Sequence, residues 1–238
     1  MTAASQAKQA VREQIWSQLE RAGAVQPGVR GYIPAFEGAD QAAGRLADLP
    51  VWQQAQVLEV VPDRAQLPVR IRALKDRKLV YMAAPKLATA EPFYLLDPRD
   101  LPVPATEAAD RMEAARTAPS VSINEMQAID LIVCGSVAVN ERGARLGKGA
   151  GYSDIEMALL TEAGVLNEQT VIATTVHDLQ VLDEDLPEQA HDFRVDLIVT
   201  PERIIWPDSP KRPARLDLDN LSPEQIAAIP VLARRVRR

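Results

Sequence analysis

The chain has 238 residues, of which 47% are hydrophobic and 25% are charged. These are ordinary values for a globular protein, and the length allows one large domain or two small ones with a sizeable core. The net charge of −6 disfavours a nucleic-acid-binding protein with a wholly basic surface. The single cysteine, Cys134, excludes an intrachain disulfide, and the presence of only two histidines argues against a structural zinc site.

The N-terminal segment is polar and amphipathic and lacks the apolar stretch of a signal peptide or a membrane span. Cys134 lies in an apolar run that is typical of a buried strand, and a lone buried thiol fits a reducing compartment. These features predict a cytoplasmic protein that does not associate with membranes.

The clearest helix is predicted over residues 5–21, where Val11, Ile15 and Leu19 recur every four residues. Lys8 and Arg12 are also four residues apart and therefore lie on one face of this helix, where they could meet an anion or simply be solvated. The following Gly/Pro loop contains two aromatic residues, Tyr32 and Phe36. Aromatic residues in such a loop can line a ligand pocket or cover the edge of a core.

Strands and helices alternate along the rest of the chain. Strands are predicted at 56–61, 79–83, 130–134, 170–176 and 195–200, and helices at 39–49, from 71, at 153–163 and after Ser222. Frequent prolines between residues 85 and 119 predict long connections and edge elements there. The alternation indicates an α/β fold whose mostly parallel sheet binds ligands at the carboxyl ends of its strands.

Residues 142–154 are the best candidate for the working site. Gly147, Gly149 and Gly151 alternate in a segment that follows the apolar run 131–134 directly. Alternating glycines bring backbone N–H groups close to a ligand, and the helix that starts after them presents its N-terminus to the same anion. Arg145 and Lys148 add positive charge, so a phosphate suits the segment best. The alternative is a glycine-rich turn that only joins a strand to a helix.

His177 and Asp178 stand at the end of a predicted strand. His177 could act as a general acid or base, because histidine titrates near neutral pH. A structural histidine is an equal alternative. A metal site shared with His191 and Asp192 is disfavoured, because nothing in the spacing brings the two pairs together.

Residues 145–154 read Arg-Leu-Gly-Lys-Gly-Ala-Gly-Tyr-Ser-Asp. This motif resembles the loop Arg-Leu-Gly-x-Gly-x-Gly-Tyr-Tyr-Asp of the 5-formyltetrahydrofolate cyclo-ligase family, also called methenyltetrahydrofolate synthetase. The Leu-Pro and His-Asp pairs within residues 186–192, and the strand 195–200, are similar to that family as well. Residues 12–16, 33–38, 135–139, 175–178 and 211–213 look more like a paralogous branch, the methenyltetrahydrofolate synthetase domain-containing proteins.

The resemblance implies one domain over residues 1–238, a three-layer α/β sandwich similar to ribose-phosphate isomerase and CoA-transferase folds. It also implies conversion of 5-formyltetrahydrofolate to 5,10-methenyltetrahydrofolate through a phosphorylated formyl group, with ATP and Mg²⁺. The residues that it assigns to ATP are Lys8, Arg12, Arg145, Gly147, Lys148, Gly149, Ala150, Gly151 and Tyr152. Asp154 would hold Mg²⁺, since a hard cation prefers carboxylate oxygen.

The catalytic candidates are Lys148 and His177. For the substrate, a reduced folate or a similar heterocycle, the candidates are Tyr32, Phe36 and Glu59. Residues 33–36 do not look like the family's pterin-binding segment, so the resemblance does not locate that segment's substrate glutamate, and Glu59 is named as a guess. The expected assembly is a monomer or a homodimer.

The chain departs from the family at three places. Ser153 replaces a tyrosine, residues 155–156 replace a basic residue, and His177-Asp178 replaces an Ala-Phe or Ala-Tyr segment. The departures favour one alternative function, and the basic tail, with the branch's association with RNA domains, supports a second. One is a paralogous nucleotide-binding enzyme on another heterocycle, for which thiamin metabolism is one option. The other is a non-catalytic ligand-binding or RNA-associated module that uses the basic tail 234–238.

Overall fold

The computed structural model describes residues 3–208, 210–213, 215–216, 218 and 221–236. Its helices are α1 (Ala3–Arg21), α2 (Ala39–Ala47), α3 (Pro50–Gln54), α4 (Leu67–Lys75), α5 (Ala105–Ala108), α6 (Arg111–Thr117), α7 (Tyr152–Glu162), α8 (Pro223–Ala228) and α9 (Pro230–Val236). Its strands are β1 (Val57–Val60), β2 (Leu79–Ala83), β3 (Phe93–Leu96), β4 (Ser120–Val121), β5 (Leu131–Cys134), β6 (Ala138–Asn140), β7 (Arg145–Leu146), β8 (Val171–Thr175), β9 (Val181–Leu182), β10 (Leu197–Val199) and β11 (Ile204–Ile205).

The main sheet has the strand order β11-β10-β8-β5-β1-β2-β3-β4. Strands β10, β8, β5, β1 and β2 are parallel, and β11, β3 and β4 extend the two edges in antiparallel pairing. The chain runs outward from β1 to β2 on one side and from β5 to β8 and β10 on the other. The boundary between β1 and β5 is therefore the topological switch point, where open α/β sheets bind their ligands.

Helices cover both faces of the sheet, because successive side chains of a strand point to opposite faces. Leu58 and Val60 of β1 belong to the core on one face, where Trp16 of α1 packs together with α2 and α4. Val57 belongs to the core on the other face, with Leu159 of α7 and the apolar side of α9. The three-layer α/β arrangement with a mostly parallel sheet is thus confirmed.

Local sequence signals set most element boundaries. The helix predicted at 39–49 ends at Ala47, because Leu49 precedes Pro50 and adopts an extended backbone with ψ 147°. The capping box at Ser222 is present, with Gln225 as its reciprocal partner. The proline-rich stretch contains two short helices and the strand β3, which pairs with β2 on one side and with the edge strand β4 on the other. No helix in the described part of the chain is long and apolar enough to cross a membrane.

The glycine-rich segment does not follow β5 directly, so this detail of the sequence prediction is wrong. Strands β6 and β7 form an antiparallel hairpin between the two, and β9 joins β6 to make a small second sheet. The side chain of Asn140 closes the hairpin by accepting hydrogen bonds from the backbone of Arg142 and Ala144. Strands of two and three residues are too short to produce a periodic pattern.

Arg70 of α4 is a buried cation that binds three backbone carbonyls. Its guanidinium donates to the carbonyl oxygens of Val61 at 2.5 Å, Asp63 at 3.1 Å and Ala109 at 2.8 Å. Burial lowers the pKa of Arg70 to about 10, so the group stays charged at neutral pH. Arg70 thereby fixes the backbone that leaves β1.

The substitution Arg70→Met should lower the free energy of unfolding by about 3 kcal/mol, because it leaves carbonyl groups without their donor. Urea unfolding measures this change. The matched control is Arg72→Met on the same helix, whose ion pair with Asp76 is partly exposed. It should cost less than about 1 kcal/mol. Equal losses for the two variants would contradict a special role for Arg70.

Candidate functional site

A cavity of about 160 Å³ lies between α1, the glycine loop (residues 147–151) and residues 189–192. Its lining consists of Ser5, Lys8, Arg12, residues 145–154, Gln189, His191 and Asp192. Every residue that the sequence assigned to ATP lines this cavity, and so does Asp154, the metal candidate. Folding therefore brings the basic face of α1 onto the loop, although Arg12 and Gly147 are 135 positions apart in the sequence.

Two glycines of the loop are required for different reasons. Gly149 has φ +101°, a backbone conformation that other residues rarely adopt. Gly147 is needed for space, since a Cβ there would lie 2.7 Å from the guanidinium of Arg145. Side chains at these positions would displace the backbone or the cation beside it.

The two arginines of the cavity are held in place by backbone carbonyls. Arg12 donates from Nε to the carbonyl oxygen of Gly147 at 2.7 Å. Arg145 donates from Nη2 to the carbonyl oxygen of Gly135 at 3.1 Å, and its guanidinium lies 4.7 Å from the ring centre of Phe193. Burial lowers the pKa of Arg12, and the charge of Arg145 acts in the same direction. An anion in the cavity would relieve the repulsion between them.

The two lysines of the site each have a carboxylate partner. Lys8 donates to both oxygens of Asp192, at 2.8 and 2.5 Å, and both side chains are buried. Lys148 lies 3.1 Å from Asp63 and is more exposed. Sequence reasoning missed both partnerships. Asp63 carried a usable signal, because it follows a predicted strand at its carboxyl end.

The glycine loop presents free hydrogen-bond donors. Within the described ranges, the backbone N–H groups of Lys148 through Gly151 donate to no protein acceptor. The first turn of α7 follows at once, and its positive end faces the same cavity. Free N–H groups beside a helix N-terminus and two arginines fit a phosphate group.

Asp154 in the first turn of α7 fits a Mg²⁺ ion held mainly by phosphate oxygens. Its side chain is 27% exposed, and its carboxylate lies 3.9 Å from Nη1 of Arg145. Burial raises the pKa of Asp154, and Arg145 partly opposes that effect. The described residues contain no group of three or more His, Cys, Asp or Glu side chains that could hold a metal by themselves. One carboxylate with phosphates and water is the usual arrangement for Mg²⁺.

The three substrate candidates do not line this cavity. Phe36 is buried and meets His177 edge to face, with 6.2 Å between the ring centres. Tyr32 is 66% exposed, and its backbone carbonyl accepts a hydrogen bond from Trp16. Glu59 is fully buried in the main sheet. Their contact with substrate stays a prediction.

His177 caps a short 3-10 turn. Its Nδ1 accepts a hydrogen bond from the backbone of Leu179 at 3.1 Å, and its own N–H donates to Gln180. The neighbouring Asp178 accepts a hydrogen bond from Thr200 at 2.5 Å. These contacts give His177 a structural role and leave Nε2 as the nitrogen that could face a ligand.

Glu59 and Glu156 form a buried acidic pair between β1 and α7. Among the residues that the structure describes, no donor reaches either carboxylate oxygen of Glu59 or Oε1 of Glu156. Burial raises the pKa of Glu59 well above its usual value, and the charge of Glu156 adds to the effect. Burial also raises the pKa of Glu156, to about 7. A proton shared between the two carboxyl groups satisfies both, since two adjacent buried carboxylates repel each other.

The basic C-terminal tail is partly neutralised. Arg235 pairs with Glu162 at the end of α7. Arg237 and Arg238 lie outside the described residues. The contact with Glu162 ties the end of α9 to the core rather than presenting Arg235 as a free cation.

Comparison with known proteins agrees with this geometry. The model of the 5-formyltetrahydrofolate cyclo-ligase family matches residues 4–201. The chain belongs to this family. Membership in the family accounts for the loop, the sheet and the basic helix together.

Methenyltetrahydrofolate synthase domain-containing proteins are similar to this cyclo-ligase family member over nearly its whole length. The Mus musculus protein is 35% identical over 237 residues, which covers 94% of this chain and 62% of the relative. The Homo sapiens protein is 36% identical over 239 residues, covering 94% and 60%. The chain thus spans about three fifths of the length of these relatives.

A solved structure has the same fold. The NMR structure of Aquifex aeolicus 5,10-methenyltetrahydrofolate synthetase superimposes with a TM-score of 0.55 and 19% sequence identity. The match covers 90% of this chain and 99% of that protein. The likeness supports the arrangement of strands and helices described above.

The buried Glu59–Glu156 pair predicts that the free energy of unfolding falls as pH rises. Below the ordinary glutamate pKa, the two glutamates are protonated in both the folded and the unfolded protein. Between that value and the raised folded pKa, the folded protein keeps a proton that the unfolded chain has lost. Wild-type protein should therefore lose on the order of 2 kcal/mol of stability from this pair between about pH 5 and pH 8.

Urea unfolding of Glu59→Gln at the two pH values tests this. The variant should lose less stability than wild type as pH rises, because the group with the strongly raised pKa is gone. The exposed Glu107 provides the control, since Glu107→Gln should keep the wild-type pH dependence. The same loss in Glu59→Gln as in wild type would rule out the shared proton.

Proposed function

We propose that the cavity binds the phosphates of ATP and that the chain catalyses the closure of 5-formyltetrahydrofolate to 5,10-methenyltetrahydrofolate. The observation that carries the proposal is the row of N–H groups from Lys148 to Gly151, which donate to no acceptor in the described part of the chain and lie beside two fixed arginines and the start of α7. Family membership supports the reaction class. A phosphoryl transfer needs position and charge more than a covalent side chain, and this site offers both.

Each part of the site has a task in this proposal. The loop N–H groups hold phosphate oxygens, and Arg12 and Arg145 balance their charge from fixed positions. Lys148 adds a cation that can move. Asp154 would hold Mg²⁺, which neutralises charge on the phosphates. In the reaction, the formyl oxygen accepts the terminal phosphoryl group of ATP and ADP leaves. N10 then attacks the activated carbon and releases its proton to solvent, and phosphate leaves as its C–O bond breaks.

Purified protein incubated with ATP, Mg²⁺ and 5-formyltetrahydrofolate should develop the near-ultraviolet absorbance of the methenyl product. Leaving out either ATP or Mg²⁺ should abolish the signal, because the formyl oxygen is a poor leaving group until it is phosphorylated. A complete mixture that gives no methenyl absorbance would overturn the proposed activity.

The substitution Lys148→Glu should weaken ATP binding by at least about tenfold, because it replaces a cation beside the phosphates by an anion. Isothermal titration calorimetry measures the affinity. Lys75→Glu makes the same charge change on an exposed residue of α4 outside the cavity lining and should bind ATP normally. Unchanged affinity in Lys148→Glu would contradict the assignment of phosphate to this loop.

A second candidate function keeps the nucleotide site but changes the second substrate. The contact between Phe36 and His177, together with Ser153 in the cavity lining, favours it, since these residues differ from the cyclo-ligase pattern. The substrate would then be another heterocycle. A thermal-shift panel separates the two candidates, because a ligand stabilises the state that it binds. Stabilisation by ATP together with 5-formyltetrahydrofolate supports the cyclo-ligase, and stabilisation by ATP without any response to folates supports the alternative.

A further inference from the structure

The ion pair between Lys148 and Asp63 connects two separate parts of the molecule. Lys148 lies in the middle of the glycine loop and lines the cavity. Asp63 follows β1, 85 residues earlier in the chain, and its Oδ1 lies 3.1 Å from the Lys148 nitrogen. The Lys148 side chain is 40% exposed and that of Asp63 21%, so a ligand can compete for this contact.

Asp63 lies at the topological switch point of the sheet. It follows β1, and Gly135 follows the neighbouring strand β5. A Cβ on Gly135 would lie 3.0 Å from the side chain of Ile33 and 3.3 Å from Oδ2 of Asp63. Ile33 and Asp63 therefore lie at the crevice between the ends of β1 and β5, and Lys148 contacts Asp63 there. Open parallel sheets bind ligands in such a crevice.

Asp63 and Lys148 differ in how firmly they are held in place. Arg70 binds the backbone carbonyl of Asp63 at 3.1 Å and that of Val61, so the aspartate stands on a fixed segment. Lys148 has a long flexible side chain between two glycines, and its backbone N–H has no protein acceptor within the described residues. Lys148 is therefore the partner that moves when the pair breaks.

We propose that the Asp63–Lys148 ion pair is a latch between the nucleotide cavity and the switch-point crevice. A phosphate in the cavity draws Lys148 away from Asp63, and the crevice opens for the second substrate. Binding is then ordered, with nucleotide first. The latch rests on the proposed function, because it requires ATP at the glycine loop.

Removing the carboxylate charge tests the latch. In Asp63→Asn, Lys148 no longer has to leave an anionic partner, so ATP should bind about fivefold more tightly than to wild type, which corresponds to about 1 kcal/mol. In Lys148→Gln, ATP should bind more weakly. In the double variant Asp63→Asn/Lys148→Gln, the gain from Asp63→Asn should disappear, because the two residues act through one contact.

Calorimetric titration with ATP and Mg²⁺ gives all four dissociation constants, and urea unfolding checks that each variant folds. Unchanged or weaker ATP binding in folded Asp63→Asn overturns the latch while leaving the proposed function intact. An equal gain in ATP affinity from Asp63→Asn, whether residue 148 is lysine or glutamine, also overturns the latch. Wild-type protein that binds no ATP overturns the proposed function and the latch together.

The order of binding is tested with 5-formyltetrahydrofolate and a non-hydrolysable ATP analogue. In wild type, the saturating analogue should strengthen folate binding about fivefold, because the latch is already open. In Lys148→Gln the latch is absent, so the analogue should change folate affinity little. Equal folate affinity in wild type with and without analogue overturns the ordering, as does the same strengthening in both proteins.

Discussion

The contact between Arg12 and the carbonyl of Gly147 is the constraint on which the site depends. It holds α1 against the glycine loop, and the nearby Lys8–Asp192 pair holds the same helix against residues 189–192. These two contacts position α1 as the wall of the cavity that faces the glycine loop. A buried ion pair adds little net stability by itself, but breaking it leaves an uncompensated charge, which makes the position of α1 specific.

Three ionisable side chains lie beneath the glycine loop. Arg145 passes beneath it to reach the carbonyl of Gly135, and the Glu59–Glu156 pair lies deeper, between β1 and α7. Burial raises the pKa of Glu156, whereas the positive charge of Arg145 lowers it. Burial raises the pKa of both Glu59 and Glu156, which reduces the negative charge beneath the loop. An anion site above two ionised glutamates would be much weaker.

Much of the fold could be predicted from local patterns. Apolar runs located the five parallel strands, and the cap at Ser222 located α8. The hairpin β6–β7 could not be predicted, because its strands are held by pairing with each other and with β9 rather than by a periodic apolar face. At the site, the alternating glycines pointed to the loop, whereas helical spacing only placed Lys8 and Arg12 on one face, and the family resemblance made them candidates for the site. Their partners, Asp192 for Lys8 and the carbonyl of Gly147 for Arg12, lie many residues away, so no spacing rule could find them.

The sequence by itself singled out the glycine loop as the proposed phosphate site, because alternating glycines, neighbouring cations and a helix start are local features of the chain. Only the tertiary structure decided which charges are paired. Lys8 meets Asp192, Lys148 meets Asp63, and Glu59 meets Glu156 through contacts between distant segments. The physical reason is that burial and distance set the effect of a charge, and both are properties of the packed protein.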